Sequence, residues 1–219
     1  LLLKIRQSEK VTWEGGHRPA INNLGVYPRP VQNPLPIWVG SGGNQESAIR
    51  AGFLGLPLML AIIGGSPMHF ARIVQLYKKA AAHAGHDVSK LQVGSHSIGF
   101  VGENTELAAD TFFPSTQAGM NKLGKERGWP YYDRSSFDAA RSFEGALYVG
   151  DPDTVAEKII HLRKHVGITR FMMYVPLSTM PHDQVMRAIE LLGTEVAPRV
   201  REEIAKWEAE GEQETHLFR

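Results

Sequence analysis

The sequence predicts an α/β protein whose strands lie parallel. Three observations carry this. Apolar runs alternate in order with amphipathic segments of helical length. The runs are largely continuous, as in strands buried on both faces. Glycine-rich or proline turns stop them, and capping residues open the helices that follow. Strands joined through helices in this way need right-handed crossovers.

The elements follow in order. Leu1-Leu2-Leu3-Lys4-Ile5-Arg6 reads as a helix with neither a capping residue nor an initiator Met, so further sequence is expected upstream. Val11 to Pro36 holds Trp13, Gly15, Gly16, Asn22-Asn23 and five prolines, and reads as irregular. Ile37-Trp38-Val39 is the first strand, stopped by Gly40-Ser41-Gly42-Gly43. Asn44 caps a short helix from Gln45 to Ala51 that closes near Gly52. Leu56 to Ile63 is the second strand, stopped by Gly64-Gly65. Ser66-Pro67, a capping hydroxyl before Pro at the first helical position, opens the next helix. Its Phe70, Ile73, Val74, Tyr77 and Ala81 repeat at helical spacing, and Gly85 closes it. Gln92 to Val101 is the third strand, and Thr105 is the cap expected after it. From Phe113 to Arg141 the prolines and glycines Pro114, Gly119, Gly124, Gly128 and Pro130 predict short helices and loops.

Asp151-Pro152 repeats the cap-and-proline start. Val155, Ile159, Leu162 and Val166 share one face of that helix, and Gly167 ends it. Arg170 to Val175 is the fourth strand, ended by Pro176-Leu177-Ser178-Thr179. The last helices carry Val185, Ile189 and Leu192, then Val200, Ile204 and Trp207, and the polar tail from Glu208 is expected to fray. Four parallel strands are half of a (β/α)8 barrel, which usually takes about 250 residues. A small doubly wound open sheet is the rival architecture. Either way residues 1–219 read as a single domain.

Composition narrows the function classes. A formal net charge of +1 gives no field that would draw nucleic acid or an acidic membrane face. With no cysteine, disulfides and thiolate metal sites are excluded. There is no apolar run of membrane-spanning length and no signal peptide at the start, so a cytoplasmic protein is expected.

In both architectures ligands bind at the C-terminal ends of the strands. The turns to inspect are therefore Ser41-Gly42-Gly43-Asn44, Gly64-Gly65-Ser66, the region of Ser95-His96-Ser97, and Pro176-Leu177-Ser178. The first has what a phosphate needs: small residues that admit a close anion, then a helix start with unsatisfied N–H donors, with Asn44 and Ser47 as further donors. A ligand-free tight turn is the competing reading. The spacing is not G-x-G-x-x-G, since Gln45 stands at the last position, and no G-x-x-x-x-G-K-[ST] occurs. Gly64-Gly65-Ser66-Pro67 reads more simply as a turn and a cap. His96 is either a hydrogen-bonded core residue or an acid-base group. His161 and His165 lie four apart on a helix, but no Glu follows His161, so no metal site is expected. No G-x-S-x-G elbow is present, and Met172-Met173-Tyr174 reads as strand core.

The residues also carry a resemblance. Pro34-Leu35-Pro36-Ile37-Trp38-Val39-Gly40-Ser41-Gly42-Gly43, with Glu46-Ser47-Ala48 and Ala51-Gly52, resembles the mid-barrel segment of the bacterial-luciferase-like flavin family. So do Val26-Tyr27-Pro28-Arg29-Pro30-Val31-Gln32, Leu56-Pro57-Leu58-Met59-Leu60, the helix through Leu76-Tyr77 to Ala84-Gly85-His86-Asp87, and Val149-Gly150-Asp151-Pro152-Asp153-Thr154-Val155-Ala156. Gly167-Ile168 followed by Arg170-Phe171-Met172 is similar to its final strand. The resemblance implies a (β/α)8 barrel represented by its C-terminal half, about four parallel strands with helices. It implies a flavin-dependent oxidoreductase: FMN, reduced by NAD(P)H directly or through a flavin reductase, used with oxygen on a small organic substrate. Some members use a deazaflavin without oxygen. A flavin-binding module without turnover is the non-enzymatic alternative. The family's phosphate loop matches Ser41, Gly42, Gly43, Asn44 and Gln45, with Ser47 behind it. Its ring-facing strand matches Leu60, Ala61 and Ile62. His96 then becomes a hydrogen-bond donor near flavin or substrate, and a homodimer is the expected assembly of the complete enzyme.

Overall fold

The computed structural model describes residues 1–175 and 179–209. Pro176, Leu177 and Ser178, expected to end the fourth strand, lie outside the described residues, as does the tail beyond residue 209. The chain forms two compact units, Leu1–Trp38 and a second that begins at Val39.

The first unit corrects the expectation of an irregular stretch after the opening helix. α1 (Leu2–Gln7) leads into an antiparallel hairpin of β1 (Lys10–Trp13) and β2 (Ile21–Gly25), with Val11 opposite Leu24. Each strand buries a single apolar side chain, Val11 or Ile21. The Arg29 guanidinium donates to Ile5 O at 2.9 Å, which satisfies a carbonyl at the open end of α1.

The second unit is built around a parallel sheet. β3 (Val39–Ser41), β4 (Leu58–Ala61), β5 (Val93–Val101) and β7 (Arg170–Tyr174) lie side by side in that order. A short strand not anticipated in the sequence, β6 (Tyr148–Gly150), pairs with the upper end of β5, Gly99 to Val101. The first strand is displaced from its expected position: Gly40 and Ser41 belong to it, which leaves Gly42-Gly43 as the turn proper. Around the sheet run α2 (Gln45–Phe53), α3 (Phe70–His83), α4 (Thr105–Arg127), α5 (Arg134–Arg141), α6 (Pro152–Val166), α7 (His182–Leu191) and α8 (Ala197–Ala209). This is the alternating α/β order of a (β/α) barrel over four of its strands.

Local chemistry explains the boundaries. Asp151 Oδ1 accepts from Thr154 N at 2.8 Å, Pro152 takes the first position of α6, and Gly167 ends it in the left-handed conformation at φ 78°. Three expectations needed correction. Asn104, not Thr105, caps α4; the Thr105 hydroxyl instead donates to Asp151 Oδ2 at 2.9 Å. Ser66 makes no side-chain cap bond, and a 3-10 turn, Pro67–His69, precedes α3. The region read as short helices and loops holds one long helix, α4, with Pro114 inside it, followed by α5. A π-turn, Leu192–Val196, joins α7 to α8. It places Val185, Ala188, Leu191 and Val196 inward and leaves Ile189 exposed.

Packing forms two cores. In the larger, Ala48 and Ala51 of α2, Val74 and Tyr77 of α3 and Val155, Ile159 and Leu162 of α6 pack on Leu58, Leu60, Val93, Phe171 and Met173 of the sheet. Gly52 lets α2 approach α3: a Cβ there would collide with the Tyr77 carbonyl and meet Ala80 Cβ at 3.0 Å. The smaller core joins Phe100, Phe112, Phe137, Leu147 and Val149. Lys158 of α6 is 3% exposed, and its ammonium donates to Arg141 O (3.2 Å), Ser142 O (2.7 Å) and Leu147 O (2.5 Å). Burial pushes its pKa down to about 8, opposed by Glu144 and assisted by Arg141. This side chain thereby ties α6 to the segment that leads into β6.

Candidate functional site

Strand register sorts the side chains onto two faces, because alternate residues point opposite ways. Ser41, Leu60, Ser95 and Phe171 are level with one another across β3, β4, β5 and β7. Their face is covered by helices: Ser41 is 3% exposed and Leu60, Ile62, Ser95 and Ser97 are wholly buried. Ser95 and Ser97 hydroxyls satisfy each other at 3.1 Å. One residue along, Ala61, His96 and Met172 are level and turn to the other face, with Met59, Gly94 and Arg170 below and Tyr174 above. That face remains accessible: Met172 is 44% and Tyr174 49% exposed, and His96 is half-buried. In a closed (β/α)8 barrel the face turned away from the helices looks inward, and the C-terminal strand ends carry the site.

The turn after β3 stands at the rim of this face. The Ser41 hydroxyl donates to Asn44 O at 3.0 Å and accepts from Gly43 N at 3.3 Å. Gly43 has φ +105°, a conformation that side chains with a Cβ rarely adopt. At Gly42 a Cβ would meet nothing within 4 Å, so there is open space beside the backbone. Asn44 caps α2, its Oδ1 accepting from Ser47 N at 2.8 Å. The N–H groups of Gln45 and Glu46, in the first turn of α2, have no acceptor among the described residues. Such a turn can take an anion on backbone donors at the positive end of a helix. Glu46 is exposed on the same turn and opposes that charge.

The strand that supports the rim is pinned from behind. The Tyr77 hydroxyl donates to Leu56 O at 2.9 Å just before β4, and burial pushes its pKa up to about 12.

The site residues read from the sequence are thus distributed unevenly. Ser41, Gly42, Gly43, Asn44, Gln45 and Ser47 come together in one turn. Asn44 Oδ1 is engaged by Ser47 N, so its amide oxygen serves the helix and not a ligand. Of Leu60, Ala61 and Ile62, only Ala61 has its side chain on the accessible face; the other two lie in the helix-packed core. His96 lies on the accessible face, level with Ala61. Two β-strand spacings separate β3 from β5, so the turn and His96 are about 10 Å apart.

Tyr174, which the sequence groups with Met172 and Met173 as strand core, turns to the accessible face. Only Met173 of the three packs there. The Tyr174 and His96 rings stand with centroids 5.8 Å apart and planes tilted by 31°. The period-two contrast of Arg170, Met172 and Tyr174 against Phe171 and Met173 is the signal that identifies the face. The His161 and His165 rings do meet, with centroids 4.3 Å apart and planes tilted by 47°, and burial lowers the pKa of His165. No group of three or more potential ligands suited to a metal occurs among the described residues. None of the described helices is long and apolar enough to cross a membrane.

Comparison with known proteins agrees with this architecture. A monooxygenase from Streptomyces bottropensis superposes with a TM-score of 0.70 at 21% identity, over 89% of this chain and 57% of that one. The coenzyme F420-dependent tetrahydromethanopterin reductase of Methanopyrus kandleri gives 0.64 at 20% identity, over 90% and 60%. The oxygenating constituent of 3,6-diketocamphane monooxygenase from Pseudomonas putida, solved in complex with FMN, gives 0.57 at 20% identity, over 91% and 60%. The chain therefore spans well under two thirds of the length of these structures, which share its fold. A search of curated proteins found no match. The sequence profile of the luciferase-like monooxygenases matches residues 1–170, most of the chain: the protein belongs to the luciferase-like monooxygenase family.

Proposed function

We propose that the complete protein is an FMN-dependent monooxygenase that uses reduced flavin and oxygen on a small organic substrate. The observation that carries this is the Gly42-Gly43 turn, with open space at Gly42 and free first-turn donors on α2, set at the rim of the accessible sheet face. The residues present fit a flavin phosphate. Gly42 leaves room for it, Gln45 and Glu46 N–H groups donate to it, and the Ser41 hydroxyl holds the turn in shape. Ala61 leaves space on the sheet face where a bulkier side chain would fill it. When bound, the reduced flavin supplies the oxidising chemistry by reaction with oxygen, and the protein positions it and excludes water. NAD(P)H, directly or through a partner reductase, is the source of electrons.

A deazaflavin is the second reading, favoured by the likeness to the F420-dependent reductase. It carries a phosphate too, so the same turn would serve. Anaerobic titration of the complete protein with reduced FMN and, separately, with reduced F420 decides between them. Saturable FMN binding in the micromolar range, kept in Gly42→Ala and lost in Gly42→Asp, is the expected result. Binding of F420 alone would select the second reading. Absence of binding to either would reduce the turn to a strand-to-helix connection.

A further inference from the structure

Helix α6 carries two imidazoles that the candidate site does not use. His161 and His165 stand four residues apart, the spacing that puts two side chains on one helix face. Their rings meet, with centroids 4.3 Å apart. The Phe143 ring packs edge-on against His161 from the preceding segment, with centroids 4.9 Å apart. Neither imidazole forms a hydrogen bond to a protein group among the described residues. His86 shows the alternative, since its Nε2 is taken up by Phe53 O at 3.0 Å. Solvent reaches the pair: His161 lines an open groove between α6 and α8, and His165 is exposed. A neutral imidazole offers one nitrogen lone pair, and two placed together can serve one shared acceptor. A borderline-soft divalent cation is such an acceptor. The surrounding charge allows it. Glu157 lies one turn before His161, and the Glu144 carboxylate acts on His165. Lys164 opposes a cation, but its ammonium is drawn over the Trp207 ring, 5.4 Å from the centroid.

We propose that His161 and His165 chelate one divalent transition-metal ion of the kind that imidazole favours, Cu²⁺, Ni²⁺ or Zn²⁺, with water in the remaining positions. The residue after His161 is Leu162, which excludes the hydrolytic zinc motif but not coordination by the pair. Two protein ligands make an exchangeable site, in keeping with the absence of any larger ligand group among the described residues. The inference does not rest on the monooxygenase reading, because α6 packs on the covered face of the sheet, opposite the accessible one.

The test is calorimetric titration of the complete protein, free of any purification tag, with CuCl₂, NiCl₂, ZnCl₂ and MgCl₂ in a non-chelating buffer. Cu²⁺ is expected to bind more tightly than Ni²⁺ or Zn²⁺, and Mg²⁺ not at all. His161→Gln and His165→Gln should each weaken Cu²⁺ binding at least about tenfold, since one imidazole cannot chelate. His83→Gln, on α3, should leave it unchanged. Electron paramagnetic resonance with substoichiometric Cu²⁺ reads the site without any substitution, and hyperfine structure from two imidazole nitrogens is expected. No Cu²⁺ binding, undiminished binding in the His161 and His165 variants, or a spectrum with fewer than two imidazole nitrogens would overturn the site.

Discussion

Lys158 offers the sharpest quantitative test of the structure. Its pKa falls to about 8 in the folded protein, against an ordinary value of 10.5, because burial disfavours the charged ammonium. Between these two values the unfolded chain binds a proton that the folded chain releases. Stability therefore rises with pH across this window, with a limiting slope of about 1.4 kcal/mol per pH unit. Integration over the two titrations gives a gain of about 2 kcal/mol from Lys158 alone between pH 8 and pH 10. From about pH 9.5 the trend reverses. Burial pushes Tyr77 and Tyr132 up to about 12, with Asp138 adding to the effect at Tyr132, and raises Tyr148 as well. Those phenols stay protonated in the folded state while the unfolded chain loses its protons, so stability falls. A maximum near pH 9.5, about 1 kcal/mol above the stability at pH 8, is expected in urea unfolding midpoints, with the denaturant slope unchanged. Lys158→Arg stays charged throughout, and Lys158→Met carries no charge, so both should lack the rise and keep the later fall. A rise of the same size in either variant, or a flat wild-type profile from pH 8 to 10, would refute the assignment.

Two further predictions follow from contacts. Gly52→Ala should cost about 2–3 kcal/mol, because its Cβ meets the α3 backbone and the helices must separate, while Gly42→Ala, facing open space, should stay within about 0.5 kcal/mol; thermal unfolding of the two variants checks the pair. Glu46→Gln removes the carboxylate that opposes an anion at the α2 N-terminus, and should tighten FMN binding about two- to fivefold at low salt, with the gain shrinking as ionic strength rises.

Much of this was legible in the sequence, for reasons that can be named. Asn44, Asp151-Pro152, Gly85 and Gly167 act through local chemistry, and local chemistry survives in any fold that uses those helices. The β1–β2 hairpin was not legible, because each strand buries only one apolar side chain and β2 contains Asn22 and Asn23. α4 was hidden by Pro114, Gly119 and Gly124; Pro114 lies inside the helix, and the Thr116 hydroxyl supports the turn by donating to Phe112 O at 3.0 Å. β6 is three residues long and has no pattern to read. Within the candidate site, the turn at Gly42-Gly43 is contiguous in sequence, and as a strand-to-helix turn it was legible. The facing of Leu60, Ala61 and Ile62 was not, since a continuous apolar run gives no period to say which side is which. The contact of His96 with Tyr174 joins residues brought together only by the pairing of β5 with β7.

That pairing has a consequence for synthesis. Residues Gly94 to His96 bond to β4 along one edge and to β7 along the other, yet β7 follows some seventy-five residues later in the chain. A nascent chain emerging from the ribosome can assemble β3, β4 and β5 early, but must then hold an unpaired strand edge while α4, α5 and α6 are made. Thr169 closes the gap as it arrives: its backbone N–H donates to Val93 O at 2.7 Å, and its hydroxyl accepts from Val93 N at 3.0 Å. Until then the edge of β5 is the place where a chaperone would have work to do, and where premature termination would leave a template for aggregation.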